Sequence, residues 1–285
     1  MVESAPAVAL SPLREVIARY RLSARKSLGQ NFLLDLNLID RIARAAGDIA
    51  TTSIIEIGPG PGGLTRALLA GGAQAVIAVE RDPRCVEALA ELADAYPDRL
   101  RIIEGDALDI DAASLAPAPR AIVANLPYNI ATPLMFAWLG NIGAFTSLTL
   151  MLQREVAVRI TARPGSRDYG RLSIAAQWRC ETRRLFDVPP TAFVPAPKVT
   201  SSIVRFVPRP EPLAPADAAT LERVVAAAFG QRRKMLRSSL RQLGADAEGL
   251  LADAGITPTL RAEDIDIEDF CSIARAFAAR NDAAS

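Results

Sequence analysis

The residues at 125–128, Asn-Leu-Pro-Tyr, carry the groups needed to hold a planar molecule that bears an amine. The side-chain oxygen of Asn125 can accept one amine hydrogen, and a backbone carbonyl at the proline turn, either the preceding one or that of Pro127, can accept the other. The ring of Tyr128 can stack on a flat base. This combination favours an enzyme that methylates an amino group over one that transfers a hydride.

Groups suited to a nucleotide-like ligand lie upstream of that run. The stretch Ile54–Thr65 is apolar at first and then has four glycines within six residues, Gly58 and Gly60 among them. Glycines accept positive φ and let a ligand approach bare backbone, and the helix that follows offers free N–H groups. Glu80 lies 22 residues after Gly58, where a carboxylate can bind both hydroxyls of a ribose, and Asp106 ends a third apolar run.

These residues follow apolar runs that we interpret as strands. The predicted strands are 54–57, 75–80, 100–107, 121–125, 147–152, 183–188 and 199–207. The predicted helices are 13–20, 37–46, 63–70, 83–95, 132–139, 154–162 and 171–179, with Pro83 and Pro133 in the first turns of theirs. Regular alternation predicts a Rossmann-like α/β domain with a seven-stranded, mainly parallel sheet, and such sheets bind ligands at the carboxyl ends of their strands.

A proline-rich stretch at 208–216 predicts a linker between a domain at 1–207 and a smaller helical domain at 217–285. Within 231–243 we expect a helix with one apolar stripe, formed by Leu236, Leu240 and Leu243. Arg233, Arg237 and Arg241 recur every fourth residue on another face. Like charges at this spacing repel, so the pattern indicates an anionic partner.

The net charge of +1 conceals an uneven distribution. The segments 14–26, 154–184 and 232–241 hold 18 of the 33 basic residues and four of the 32 acidic ones. Such segregation is typical of a nucleic-acid binder, although solvated helix faces would give a similar count. Lys26, in the first of these segments, is a further candidate RNA contact.

The composition also narrows the chemistry. The sequence contains no histidine, so Ser-His triads and most zinc sites are excluded, and we expect no metal. Cys85, Cys180 and Cys271 are widely spaced, which predicts buried thiols in a reducing compartment. No run reaches about 20 apolar residues and residues 1–13 do not resemble a signal peptide. We therefore expect a cytoplasmic, untargeted protein with no membrane partner.

The chain resembles the KsgA-type small-subunit ribosomal RNA adenine dimethyltransferases from about Arg25 to Arg280. The matching segments are 26–33, the glycine turn, Glu80, 105–107, 125–130 and 189–199, and Leu28 departs from the aromatic residue common in the family. The resemblance implies a class I methyltransferase fold with S-adenosylmethionine as cofactor. Its implied substrate is small-subunit rRNA in a pre-ribosomal 30S-type particle, where two adjacent adenosines near the 3′ end are each methylated twice by a monomer.

The resemblance also assigns roles to residues of this chain. Asn31 and Leu33 would form a lid on the methionine end of the cofactor, and Asp106 with Ala107 would hold its adenine. Phe193 would face the target base opposite Tyr128, although it could equally be a core aromatic residue. The implied cofactor contacts are Asn31, Leu33, Gly58, Gly60, Glu80, Asp106, Ala107 and Asn125.

Other functions remain open at this stage. A relative that methylates an adenine of large-subunit rRNA and confers antibiotic resistance is the nearest alternative. A ribosome-assembly or RNA-binding factor that has lost catalysis is another, although intact Glu80, Asp106 and 125–128 argue against it. A nicotinamide-dependent dehydrogenase is a third, and a cofactor titration would exclude it.

Overall fold

The computed structural model describes residues 10–25 and 28–283. Its helices are α1 (Leu13–Arg19), α2 (Leu36–Ala45), α3 (Gly63–Ala70), α4 (Pro83–Ala95), α5 (Tyr128–Gly140), α6 (Arg154–Ile160), α7 (Arg171–Gln177), α8 (Ala218–Gly230), α9 (Leu236–Ser239), α10 (Ala247–Asp253) and α11 (Ile267–Ala283). Its strands are β1 (Phe32–Leu33), β2 (Ser53–Ile57), β3 (Ala75–Glu80), β4 (Leu100–Glu104), β5 (Arg120–Asn125), β6 (Leu148–Gln153), β7 (Cys180–Val188), β8 (Phe193–Val194) and β9 (Ser201–Pro208).

Seven of the strands form one sheet in the order β4-β3-β2-β5-β6-β9-β7. Strands β2 to β6 pair in parallel, and β9 runs antiparallel to β6. The predicted seven-stranded, mainly parallel sheet is thus confirmed. Ile57 at the end of β2 is in register with Val79 on one side and Ala124 on the other. The glycine turn, Glu80 and Asn125 therefore leave the sheet at one edge.

The core beneath this edge comes from apolar residues at helical and strand spacing. Helix α2 buries Ile39, Ile42 and Ala43 on one face, and Asp35 caps its start by accepting the N–H of Leu38. These side chains pack in one cluster with residues of α3, α4 and the sheet. Burial of a Leu or Ile side chain contributes roughly 1.5–3 kcal/mol, so this cluster fixes the strand ends that carry the site.

The chain divides into two compact units. One unit contains the chain up to Ala157 together with Arg183–Pro208, and the other contains Val158–Thr182 together with the chain from Arg209 onwards. The predicted domains at 1–207 and 217–285 differ from this division at 158–182, and most of the predicted linker at 208–216 belongs to the second unit. Tyr169, Ile174 and Trp178 pack in the same apolar cluster as α8 and α11, so this stretch belongs with the helices that follow it in the sequence.

Two predicted helices differ from the observed ones. Helix α5 begins at Tyr128 rather than at 132, so Pro133 lies inside the helix and not in its first turn. The predicted helix at 231–243 is wrong: α9 covers only four residues, and a 3₁₀ turn follows at Leu240–Leu243. The reason is tertiary, because the N–H groups of Leu236 and Arg237 donate to the carbonyls of Leu260 and Pro258.

Two further observations concern membrane-spanning helices and the cysteines. Within 10–25 and 28–283, no helix combines the length and hydropathy required to cross a bilayer. Cys85, Cys180 and Cys271 are all free and buried, which confirms the prediction of buried thiols. Burial raises the pKa of the Cys85 and Cys180 thiols to about 12.

Candidate active site

A pocket lies at the carboxyl ends of β2 to β5, within the sheet-containing unit. Residues from the N-terminal part of the chain, the glycine turn, the ends of β3 to β5 and the start of α5 line it. The predicted residues that line it are Asn31, Leu33, Gly58, Gly60, Glu80, Asp106, Ala107, Asn125, Pro127, Tyr128 and Phe193. The structure therefore brings every predicted cofactor and acceptor residue to one place.

The glycine turn has the backbone conformation that the sequence predicts. Gly58, Gly60 and Gly62 have φ values of 68°, 55° and 84°, in the left-handed region that favours glycine. A Cβ on Gly60 would lie 3.3 Å from the ring of Phe32, and one on Gly62 would lie 2.8 Å from the side chain of Leu89. A side chain at either position would therefore be strained and would crowd the turn.

Glu80 ends β3 and is 6% exposed. Its Oε2 accepts the N–H of Gly60 at 2.9 Å, and its Oε1 accepts the N–H groups of Arg81 and Asp82 at 2.8 Å each. Burial raises the pKa of this carboxyl, although the three donors favour its ionised form. Since a carboxylate oxygen can accept two hydrogen bonds, Oε2 retains capacity for a ligand hydroxyl.

Asp106 follows β4, and its carboxylate already has two partners. Its Oδ1 accepts the N–H of Leu108 at 3.0 Å, and its Oδ2 lies 2.8 Å from a guanidinium nitrogen of Arg81. The Arg81 side chain is 65% exposed, so this ion pair is weakly held in solvent. A ligand amine could take the place of Arg81 at Oδ2.

Glu56 is a buried acid of β2, on the pocket wall and 1% exposed. Burial is the main cause that raises the pKa of its carboxyl to about 8; the nearby hydroxyl of Thr65 lowers this pKa, and the neighbouring charge of Glu80 raises it. Among the described residues, its Oε2 has no hydrogen-bond partner. A buried oxygen of this kind costs free energy until a donor binds it.

The run at 125–128 turns directly into α5. The carbonyl of Pro127 accepts the N–H groups of Ile130 and Ala131, both at 3.1 Å, so it is committed to the start of the helix. The carbonyl of Leu126 precedes the proline, and Leu126 lines the pocket as Asn125 does. This geometry corrects the predicted acceptor at Pro127 and favours the preceding carbonyl, the other alternative that the sequence left open.

Phe193 reaches the pocket through a short antiparallel pairing of β1 with β8. Leu33 pairs with Phe193, and Phe32 pairs with Val194. Phe193 is 3% exposed and belongs to the core cluster as well as to the pocket lining. Phe193 is therefore a core residue that also lines the pocket, and its contact with the target base stays a prediction. In the same segment, Asn31 donates through Nδ2 to the carbonyl of Gly29 at 3.2 Å.

The predicted RNA-contacting residues lie elsewhere. Lys26 falls outside the described residues. Arg233 lies in a turn before α9 and Arg241 in the 3₁₀ turn after it, both exposed, so the three arginines do not share one α-helix. Arg237 lies 3.7 Å from Glu248, an acid of the same unit.

Sequence reasoning missed three residues around the pocket: Gln30, Asp82 and Ser201. Gln30 donates to Asp82, which immediately precedes α4, and Ser201 lies 2.7 Å from the hydroxyl of Tyr128. Asp82 before Pro83 is a recognisable helix N-cap signal, so its local role could have been found. The contact of Gln30 with Asp82 and that of Ser201 with Tyr128 join residues 52 and 73 positions apart, and a local sequence pattern gives no signal for such contacts.

The sequence is similar to a known protein family over most of its length. The family model described as ribosomal RNA adenine dimethylase matches residues 21–279. A ribosomal RNA small subunit methyltransferase A of Rhodospirillum rubrum is 64% identical over 95% of this chain and 94% of its own length. The protein of the same name from Paracoccus denitrificans is 58% identical over 95% of this chain and 97% of its own length.

Solved structures give the same picture at lower identity. A dimethyladenosine transferase from Plasmodium falciparum has a TM-score of 0.73 and 25% identity, covering 86% of this chain and 96% of its own. The 23S rRNA methyltransferase ErmE has a TM-score of 0.66 and 29% identity, covering 87% of this chain and all of its own. The chain belongs to the ribosomal RNA adenine dimethylase family, enzymes whose methyl donor is S-adenosylmethionine.

Proposed function

We propose that this protein transfers methyl groups from S-adenosylmethionine to the N6 amines of two adjacent adenosines near the 3′ end of small-subunit rRNA. Each adenosine receives two methyl groups. The observation that carries the proposal is that one pocket joins the glycine turn and Glu80 to Asn125 and Tyr128. The identity of 58–64% with small-subunit enzymes, against 29% with ErmE, supports the small subunit over the large one.

The pocket fits the cofactor in four respects. The glycine turn lets a ligand approach bare backbone, and Glu80 has an acceptor for a ribose hydroxyl. The unpartnered Oε2 of Glu56 is suited to a cationic ligand, because a positive charge nearby stabilises the ionised carboxylate. Asp106 can accept from the amino group of adenine once Arg81 moves aside.

The acceptor side is formed by the first turn of α5 and the end of β5. In the proposed complex, the side-chain oxygen of Asn125 and the carbonyl of Leu126 accept the two hydrogens of the adenine amine. These bonds favour a pyramidal nitrogen, whose lone pair is then free to attack. When bound, S-adenosylmethionine supplies a methyl group already activated by its positive sulfur. The chain therefore contributes mainly alignment.

The target base must leave its stack to reach the pocket. Tyr128 and Phe193 provide aromatic faces that can replace the lost stacking. After transfer the amine nitrogen is cationic and acidic, so it can release its proton to water. The absence of histidine from the sequence is compatible with this chemistry.

We include in the proposal a pre-ribosomal 30S-type particle as the substrate and the cytoplasm as the place of reaction. A monomer suffices, because the sheet-containing unit of a single chain supplies all the pocket residues described above. Light scattering of the purified protein would test this part: a stable dimer with a shared pocket would contradict it.

The decisive test supplies labelled S-adenosylmethionine and purified subunits from a strain that lacks the modification. We expect about four methyl groups per small subunit, all on two adjacent adenosines near the 3′ end of its rRNA. Large subunits serve as the matched control and should remain unlabelled. Label on large-subunit rRNA, or label on another nucleotide of the small subunit, would overturn the proposal.

A further inference from the structure

Asp82 is a buried acid that the proposed reaction does not use. It immediately precedes α4 and is 0% exposed. Arg84 donates to it through Nε at 3.0 Å, through a terminal guanidinium nitrogen at 2.6 Å and through its backbone N–H at 3.2 Å. Gln30 donates through Nε2 at 3.0 Å. These donors, with Arg84 foremost, hold the pKa of the Asp82 carboxyl at about 2.

The donors hold one stretch of chain in place, which we call the strap (residues 21–25 and 28–33). Gln30 bridges the strap to Asp82, because its Oε1 accepts the N–H of Arg25 at 2.9 Å while its Nε2 donates to the acid. The guanidinium of Arg84 also reaches two strap carbonyls. They belong to Arg21, at 3.4 Å, and Ser23, at 3.2 Å. The Asp82–Arg84 pair thus holds the strap near its start, through Arg84, and near its end, through Gln30.

The strap leads directly into the pocket. Gln30, Asn31 and Leu33 line the pocket, whereas Asp82 is not among its described lining residues. A Cβ on Gly29 would lie 3.3 Å from the Pro127 side chain, and Phe32 lies against the glycine turn at Gly60. The strap therefore covers the ends of β2 and β5.

The sheet order fixes which end of a bound ligand meets the strap. Asp106 follows β4, Glu80 ends β3, and the glycine turn follows β2, with β5 next. A nucleoside held at Asp106 and Glu80 extends its remaining atoms toward β2 and β5. For S-adenosylmethionine those atoms are the sulfonium and the amino-acid end.

We propose that Asp82 is a positioning residue that fastens the strap over the amino-acid end of the cofactor. This inference rests on the proposed function, since it takes S-adenosylmethionine as the occupant. Asp82 acts through Gln30 and Arg84, which hold the strap, and touches no reacting group. Loss of its carboxylate releases the strap, and the affinity for the amino-acid end falls while the nucleoside contacts at Glu80 and Asp106 remain.

The competing explanation is that Asp82 merely caps α4. Its Oδ1 does accept the backbone N–H of Arg84, as an N-cap residue does. Asp82→Ser separates the two roles, because serine is an equally good N-cap and its short side chain does not reach Gln30. Asp217→Asn is the matched control, since Asp217 caps α8 in the other unit and does not line the pocket.

The test measures binding of two ligands by titration calorimetry: S-adenosylhomocysteine, and 5′-methylthioadenosine, which lacks the amino-acid end. We expect Asp82→Ser to weaken S-adenosylhomocysteine about tenfold and 5′-methylthioadenosine less than twofold. Gln30→Ala should give the same pattern, and the double variant should lose no more than the worse single one. Asp217→Asn should leave both affinities unchanged.

The possible results distinguish a failure of the role of Asp82 from a failure of the proposed function. If the unaltered protein bound no S-adenosylhomocysteine, the proposed function would fail. If the unaltered protein bound S-adenosylhomocysteine normally, either of two results would refute only the role of Asp82. One is an unchanged affinity in Asp82→Ser, and the other is an equal loss of affinity for both ligands. Should Asp82→Ser not fold, Asp82→Asn replaces it, because asparagine is an equally good N-cap and lacks the charge that Arg84 and Gln30 bind.

Discussion

The hydroxyl of Tyr128, at the start of α5, lies 2.7 Å from the hydroxyl of Ser201, at the start of β9. Ser201 is fully buried, whereas Tyr128 lines the pocket. The bond therefore fixes a pocket aromatic ring to the interior of the sheet. Because the ring must meet an extruded base in one orientation, a tether to a rigid strand reduces the conformational freedom that binding would otherwise cost.

Ser201→Ala should slow methyl transfer without changing cofactor affinity. A neutral hydrogen bond is worth about 0.5–1.5 kcal/mol, which corresponds to a two- to tenfold loss in kcat/KM for unmethylated subunits. Tyr128→Phe removes the same bond and keeps the ring, so it should give a similar loss, and the double variant should be no worse than either. Additive losses would show that the two hydroxyls act separately.

Asn125→Ala should nearly abolish methyl transfer and keep S-adenosylhomocysteine affinity within about tenfold. The physical reason is that its amide oxygen would hold the acceptor amine, while the nucleoside contacts belong to other strands. Single-turnover transfer to unmethylated small subunits at saturating cofactor measures the effect. Asn141→Ala, just after α5 and not among the described pocket residues, is the matched control. Retention of most of the rate in Asn125→Ala would mean that the amine is held otherwise.

Much of the fold could be predicted because the local sequence pattern and the tertiary packing favour the same helices and strands. Strand β3 and helix α4 begin and end at the predicted residues, since an apolar run ends in an acid and Pro83 opens the helix. The same agreement placed Glu80 and the glycine turn at one edge of the sheet. The carboxyl ends of parallel strands lie at the same edge of a sheet, regardless of which residues follow them.

The rest depended on contacts that no local pattern records. Helix α9 is short because the N–H groups of Leu236 and Arg237 bond to carbonyls more than 20 residues away rather than to the preceding turn. The role of Pro127 could not be read either, because it depends on where α5 starts. The predicted start at 132 would have left the Pro127 carbonyl free, whereas the observed start at Tyr128 engages it.

Glu56 should make the free energy of unfolding depend on pH. Its pKa is about 8 in the folded protein and near 4.5 for an exposed glutamate, so the folded state holds the proton more tightly. Its contribution is therefore fully present below about pH 4.5 and is lost as pH rises to about 8. The loss can reach about 1.4 kcal/mol per pH unit within that window.

The measurement compares urea unfolding of the unaltered protein and Glu56→Gln from pH 5 to pH 8. Because glutamine does not titrate, the variant lacks this contribution, and the stability of the unaltered protein relative to it should fall as pH rises. Taking the difference cancels the titration of the other groups. A difference that stays constant across this range would show that Glu56 is ionised in the folded protein.

Our last prediction concerns Arg233, Arg237 and Arg241, which we expect to contact rRNA phosphates although they do not form one helical face. Changing all three to Gln should weaken binding to small subunits between about 50 and 200 mM salt. It should also reduce the slope of log K against log salt by about two to three, allowing roughly 0.7–0.9 per contact. Affinity for S-adenosylhomocysteine should not change, because the pocket lies in the other unit.

The alternative is that these arginines stabilise their own unit through ion pairs. Arg237 does lie 3.7 Å from Glu248, but both side chains are largely exposed, at 43% and 62%, and such pairs contribute about 0–1 kcal/mol. Glu248→Gln is therefore the matched control: it breaks the pair and keeps all three cations, so the salt slope should stay the same. An unchanged slope in the triple variant, together with a lower melting temperature in both proteins, would assign the arginines to stability and end the RNA-contact hypothesis for them.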